Sequence, residues 1–293
     1  MRKFIFFLVT GLIVQQASAT VVYSENFDAA GIGSTIAGWA YEGTNIWQVT
    51  TDATLDPTAP NQVFSNTGNG QQNVGINFAS GTPVMLGGTG DWIKVSFDYR
   101  YLATPTSPGL QPYNFFRYGL YNKGSNTTFS DDIGYLADVN YWDNASASKD
   151  GDYNIRKEIN VYNAFSNGIL LDNLSSTDPS PSGDMLSLIT GPAPTKSFDD
   201  GATPRSTSLL ITRNGFNVDL ALYQDGVLRA TGNDSASALM IFDTLYFESP
   251  SDSTGFALDN LLIETWAAPE PSRTVLLGLA CSGLLMRRRR NCF

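Results

Sequence analysis

The segment Trp92-Ile93-Lys94-Val95-Ser96-Phe97-Asp98-Tyr99-Arg100-Tyr101 alternates apolar and polar residues through its middle. A period of two puts one set of side chains on each face of a strand, so such a segment can bury only one face of a sheet. The same pattern returns at Phe115 to Tyr121, Ser208 to Arg213, Phe216 to Tyr223, Thr244 to Glu248 and Phe256 to Thr265. Between these runs stand turn signals: Asn214-Gly215, Gln224-Asp225-Gly226, Gly232-Asn233-Asp234 and Pro250-Ser251-Asp252-Ser253. Gly and Asn reach left-handed backbone conformations and Pro pre-sets a turn, so the runs read as short strands joined by tight reversals. No amphipathic helical stretch of convincing length interrupts them.

Two end segments stand apart from this pattern. Arg2 and Lys3, the apolar stretch Phe4 to Val14 and Ala17-Ser18-Ala19 have the order of a secretory signal peptide, with cleavage expected after Ala19. At the other end come Pro269-Glu270-Pro271, an apolar run from Val275 to Met286, and Arg287, Arg288, Arg289 and Arg290. The apolar run falls well short of the roughly 20 residues needed to span ~30 Å of hydrocarbon. It suits transient or weak membrane association, and the four arginines hold the end on the cytoplasmic side. The alternative is a buried core helix with a solvated basic end. The expected organisation is a signal peptide over 1–19, one β domain over 20–268 and a sorting tail over 269–293.

The tail resembles the PEP-CTERM sorting signal of Gram-negative bacteria: Pro-Glu-Pro-Ser, a short Leu/Gly/Ala-rich segment and a terminal arginine cluster, in that order. It departs from the pattern in continuing to Asn291-Cys292-Phe293. The resemblance implies recognition and removal of the tail by the membrane protease exosortase. It also implies an exported protein of the cell envelope, outer surface or extracellular matrix of a Gram-negative-type bacterium. It covers only residues 269–293 and says nothing of what the body does.

The body contains neither cysteine, because Cys281 and Cys292 both lie in the tail, so no disulfide framework is available. A chain of this length can bury enough surface to hold itself by its core. Removing the two end segments leaves 11 Lys and Arg against 27 Asp and Glu, a net charge of −16. That balance disfavours nucleic acid, which needs clustered cations. It leaves carboxylates free for Ca²⁺.

From Thr207 to Arg229 the sequence reads strand, tight turn, strand, tight turn, strand: a meander. The run Gly255 to Ile263 closes the domain, with an early strand, Tyr23 to Phe27, placed to pair beside it. This succession resembles concanavalin A-like lectin and glucanase sandwiches. The expected fold is therefore all-β, an antiparallel jelly-roll β-sandwich, with long Pro/Ser/Gly/Asp-rich loops at Thr104 to Pro112 and Ser175 to Thr203.

For chemistry, the chain has no histidine, which removes Ser-His-Asp and Cys-His machinery and the usual zinc sites. Two carboxylates would suffice for glycoside hydrolysis. However, the Glu-x-Asp-x-x-Glu strand motif of sandwich-fold glucanases is absent, and Glu25, Glu42, Glu158, Glu248 and Glu264 are scattered singly. The expected body is thus non-catalytic, with a carbohydrate-active enzyme or a purely structural coat protein as the competing readings. Aromatic rings stack on sugars and carboxylates bond hydroxyls, which makes Tyr135, Tyr141, Trp142 and Tyr153 glycan-contact candidates and polysaccharide the expected partner. The bland reading of the same tyrosines is core packing. No cofactor is required; Asp131, Asp132, Asp150 and Asp152 are the best local candidates for a structural Ca²⁺. Asp259-Asn260 on the last strand reads as structural hydrogen bonding at a strand end.

Overall fold

The computed structural model describes residues 18–43, 47–66, 72–79, 81–102, 115–124, 132–140, 153–158, 185–188, 203–249 and 256–267. Both end segments, 1–19 and 269–293, lie outside these ranges, apart from Ser18 and Ala19. So do most of the two long loops, together with Asp131, Tyr141, Trp142, Asp150 and Asp152.

Among the described residues seventeen strands form two large antiparallel sheets and one small ribbon. The first sheet runs in the order β14 (Val227–Asp234), β13 (Asn217–Gln224), β12 (Arg205–Asn214), β7 (Trp92–Tyr101), β17 (Phe256–Trp266), β4 (Gln62–Asn66) and β3 (Gln48–Thr51), with β1 (Thr20–Glu25) also paired to β17. The second runs β11 (Met185–Ser187), β10 (Tyr153–Glu158), β9 (Ile133–Asn140), β8 (Phe115–Asn122), β16 (Thr244–Ser249), β5 (Gln72–Asn77) and β2 (Trp39–Gly43). The ribbon joins β15 (Ile241–Phe242) to β6 (Val84–Met85). The all-β antiparallel sandwich expected from the sequence is the fold observed.

Period-two alternation survives into the structure where one face meets solvent. Along β7, Ile93, Val95, Phe97, Tyr99 and Tyr101 are buried while Lys94, Ser96, Asp98 and Arg100 are partly exposed. The meander is present as β12-β13-β14, with Asp225 and Gly226 both at positive φ (51° and 73°), the geometry of a two-residue hairpin turn that matches strand twist. The early strand does pair beside the last one, Thr20 opposite Thr265 and Glu25 opposite Leu261, although it ends at Glu25 and Phe27 turns inward to the core. Phe216, expected to open a strand, instead sits in the β12–β13 turn and is 90% exposed.

The space between the sheets is filled by aromatic rings. Phe116 stacks on Phe256 at 4.6 Å between centroids, Trp47 meets Phe256 edge-on at 4.8 Å, and Phe97 meets Tyr118 edge-on at 4.8 Å. Phe64 lies at the centre of Phe27, Trp39, Tyr41 and Trp47. Edge-to-face and offset geometries suit the ring quadrupole and add to burial itself.

Tyrosines at the core also bond across the gap. Tyr118 of β8 shares a 2.8 Å hydrogen bond with Thr207 of β12. Tyr153 of β10 donates to Gln224 of β13, whose Nε2 donates to Tyr99 Oη at 2.9 Å. Tyr135 of β9 donates to Asp234 of β14 at 2.7 Å, and Lys157 completes that carboxylate's pairing at 2.7 Å.

Phe64→Ala is expected to destabilise the protein by about 3–5 kcal/mol, because four ring contacts and a full side-chain volume are lost from a packed interior. Urea unfolding followed by tryptophan fluorescence measures it.

Candidate functional site

Each sheet turns one face to the other and one face outward, and the two outward faces differ. On the seven-stranded sheet, residues sharing a register form a polar row across five strands: Asn73, Glu248, Arg117, Asp138 and Asn154. Arg117 donates to Asp138 at 2.7 Å and to Glu248 at 3.2 Å, and Arg156 donates to the other oxygen of Asp138 at 2.7 Å. Burial alone would raise the Asp138 carboxyl, but Arg156 and Arg117 more than offset it and hold it below the ordinary aspartate range.

Beside this row Tyr246 lies over Gly75 and Tyr121 lies over Gly134. A Cβ on Gly75 would stand 2.1 Å from the Tyr246 ring, and one on Gly134 would stand 2.5 Å from the Tyr121 ring. The two rings are 5.1 Å apart, and Tyr246 donates to Asp132. Burial first, and Asp132 second, push the Tyr246 phenol up. Arg117, Asp138, Glu248, Tyr121 and Tyr246 are all buried, so these described residues offer a ligand no open surface.

The outward face of the eight-stranded sheet is open. A hollow of about 290 Å³ is lined by Ser96 and Asp98 of β7, Ser206, Thr207 and Ser208 of β12, Tyr223 of β13, Gly226 and Asn260. A second, of about 320 Å³, is lined by Thr212, Asp219, Ala221, Leu228, Thr231 and Asn233 among others, and it also includes Tyr223. The two hollows meet at that ring, which makes a trough across five adjacent strands.

The trough arises because outward positions of β7 and β12 carry small hydroxyl residues, with Ser96 directly opposite Ser208 and Asp98 opposite Ser206. Asn260 donates to Asp98 at 2.9 Å, and Asn233 and Asn214 both donate to Asp219, at 2.7 and 2.9 Å. These bonds fix the amides and carboxylates in place. Within the described residues no side-chain hydrogen bond occupies the hydroxyls of Ser96, Ser206, Ser208 or Tyr223.

The residues singled out by sequence fall elsewhere. Tyr135 and Tyr153 lie between the sheets, essentially without exposure, and their phenols are spent on Asp234 and Gln224; their rings present no stacking face to a sugar, and the packing reading describes them. They belong to core positions of β9 and β10, because Leu120 and Val139, their register partners, are core residues too. Asp132 is buried against Tyr246. Tyr141, Trp142, Asp131, Asp150 and Asp152 lie outside the described residues, as do Pro269, Glu270, Pro271 and Arg287 to Arg290. Among the described residues no three His, Cys, Asp or Glu side chains are gathered to hold a metal, and no helix is long and apolar enough to cross a membrane.

No family model matches the chain, and no curated protein matches it. Solved structures align with it over most of its length. A Bacillus subtilis protein of unknown function with a galectin-like fold aligns at TM-score 0.49 and 10% identity, covering 86% of this chain and 99% of its own. The potassium-bound carbohydrate recognition domain of Emp46p aligns at TM-score 0.46 and 10% identity, covering 84% and 98%. Basic winged bean lectin with Tn-antigen aligns at TM-score 0.47 and 10% identity, covering 85% and 99%. These are likenesses of outline, and the β-sandwich rests on the strand pairing described above.

Removing the cation at the centre of the closed face has a pH signature. Arg117→Met is expected to cost about 3–5 kcal/mol at pH 7, since it leaves Asp138 and Glu248 buried without their shared partner. A depressed folded pKa contributes stability above the unfolded value and loses it as pH falls through the folded one. The gap between wild type and variant should therefore narrow below about pH 4, where the carboxylates protonate. Urea midpoints measured at several pH values read this directly.

Proposed function

We propose that this chain is an exported protein of the bacterial cell envelope or extracellular matrix whose body, residues 20–268, is a non-catalytic polysaccharide-binding module. Residues 1–19 act as its signal peptide and residues 269–293 as its exosortase-processed PEP-CTERM tail. The observation that carries the binding reading is the open trough centred on Tyr223, with uncommitted hydroxyls at Ser96, Ser206 and Ser208 and fixed polar groups at Asp98, Asp219 and Asn233. A sugar presents hydroxyls to such groups and a C–H face to an aromatic ring. A shallow trough across a sheet accepts a segment of a long polymer more readily than a compact small molecule, which prefers an enclosed pocket.

Support for the non-catalytic part comes from the state of the carboxylates. Asp138, held ionised by two guanidinium groups, is buried, and the Glu-x-Asp-x-x-Glu motif of sandwich-fold glucanases is absent from the sequence. The sorting reading is supported by the tail sequence alone, and the acidic body suits a protein soluble outside the cell.

The experiment is an array of bacterial and plant polysaccharides probed with the full chain in detergent, with product analysis of every hit. Saturable binding that leaves the glycan uncut is expected. Tyr223→Ala is expected to weaken that binding by about tenfold or more, in line with loss of ~1.4 kcal/mol or more of contact. Cut glycan would replace the reading with a carbohydrate-active enzyme, and binding to no polysaccharide would replace it with a structural coat protein.

A further inference from the structure

The edge of β17 changes partner midway. Phe256 to Leu258 pair with β4, whereas Leu261 to Thr265 pair with β1. Asp259 and Asn260 fall in the gap between them, and the register against β7 slips at the same place. Three segments converge there: the exit from β1 at Asn26 to Asp28, the entry to β4 at Asn61, and the bulge of β17. Each contains a non-glycine residue in the left-handed region, Phe27 at φ 62°, Asn61 at 59° and Asn260 at 52°.

The junction is short of positive charge. Asp259 is 2% exposed, and its Oδ1 is sealed from solvent without a hydrogen-bond partner. Asp28 Oδ1 is likewise sealed and without a partner, while Asp28 Oδ2 accepts from Asn26. Burial first, then the carboxylates of Asp56, Asp28 and Asp98, push the Asp259 carboxyl up to about 6, with only the Asn260 backbone N–H opposing them. Asp98 stands directly opposite Asp259 on β7, and Asp56 is itself buried. Among the described residues no lysine or arginine pairs with any of these four; Arg100, on β7 two residues from Asp98, is committed to Asp52 at 2.6 Å. A buried carboxylate oxygen that finds neither donor nor cation is strongly disfavoured.

We propose that this junction is a Ca²⁺ site, in which the orphaned oxygens of Asp259 and Asp28 supply the carboxylate ligands, backbone carbonyls of the converging segments and water supply the rest, and Asp56 and Asp98 add negative charge around it. The donor set is all oxygen, and no histidine or body cysteine exists to favour zinc. Ca²⁺ accepts six to eight oxygens in flexible geometry, including carbonyls and water, so it does not need three carboxylates preassembled around one point. The ion ties β1 and β4 to β17 at the place where neither continues past the other.

The test uses the full chain in detergent, stripped with EDTA and then titrated with CaCl₂, with calorimetric binding and thermal unfolding as readouts. Saturable Ca²⁺ binding and a raised Tm are expected. Asp259→Asn should weaken binding by about tenfold or more and abolish the Tm rise. In EDTA it should melt at or above the wild-type temperature, because it removes a buried charge; a purely structural aspartate would show the opposite. Asp28→Asn should also weaken binding and carries the test if Asp259→Asn does not fold. Asp225→Asn, in the β13–β14 turn three strands across the sheet from β17, should bind as wild type. No Ca²⁺-dependent shift in the wild type, unchanged binding in both junction variants, or loss of binding on substituting Asp150 and Asp152 instead would overturn the site.

Discussion

Hydrogen bonds from buried tyrosines fix how the two sheets sit on one another. Hydrophobic burial between sheets is non-directional and tolerates sliding. The bonds from Tyr118 to Thr207, from Tyr153 through Gln224 to Tyr99, and from Tyr135 to Asp234 do not. Each joins a strand of the seven-stranded sheet to one of the eight-stranded sheet, and each would leave a buried polar group unsatisfied if the sheets shifted by a residue. Such groups cost more unmade than they contribute when made, so they select one alignment rather than adding much stability. Burial pushes the Tyr118 and Tyr135 phenols well above their ordinary range, so they remain protonated donors at any physiological pH. Strand pairing within each sheet, which this alignment leaves in place, sets which outward positions sit beside one another.

That pairing gives the two outward faces opposite characters. The seven-stranded sheet carries charges in one register row, so each finds its opposite across the strands: Glu248 and Asp138 flank Arg117. The glycines at 75, 119 and 134 let Tyr246 and Tyr121 lie against the backbone, and at Gly119 an added Cβ would come within 2.5 Å of the Tyr135 carbonyl. Charge and ring are both satisfied within the protein. The eight-stranded sheet has Ser96 on β7 and Ser206 and Ser208 on β12 at outward positions, and among the described residues no side-chain hydrogen bond claims their hydroxyls. A face whose polar groups are already paired gains little from a ligand; one whose polar groups are unclaimed exchanges water for ligand at low cost.

Much of the fold was legible because its cues are local. The alternation of β7, the turn residues of the β12-β13-β14 meander, and the pairing of the first strand beside the last follow from side-chain period and turn chemistry. The strand Ile133–Asn140 was not legible. Its residues are buried on both faces, so Gly134, Leu136 and Asp138 show no polar alternation against Tyr135, Ala137 and Val139, and the stretch read as a mixture of aromatics and acids suited to a glycan. Nor does the sequence bring Asp138 together with its cations: Arg117 and Arg156 are distant in sequence and adjacent only through strand register. The trough left a fainter trace: small hydroxyl residues at outward positions of two strands, where long charged side chains are more usual. Nothing in the sequence marks those strands as neighbours.

The bulge at Asp259-Asn260 shows why a pair of residues on a strand can mean more than a strand end. Two antiparallel neighbours, β4 and β1, must share one edge of β17, and a continuous ladder would require one to stop where the other starts with no residue between. The register slip resolves this by turning Asn260 outward, where it bonds Asp98, and leaving Asp259 facing its like-charged neighbours. A neutral residue at 259 would satisfy the backbone equally well, since the slip depends on the left-handed conformation of Asn260 and not on the carboxylate beside it. The negative charge there is therefore in excess of what the fold requires. Among the described residues no lysine or arginine supplies the opposite charge, and that is the charge the proposed Ca²⁺ would bring.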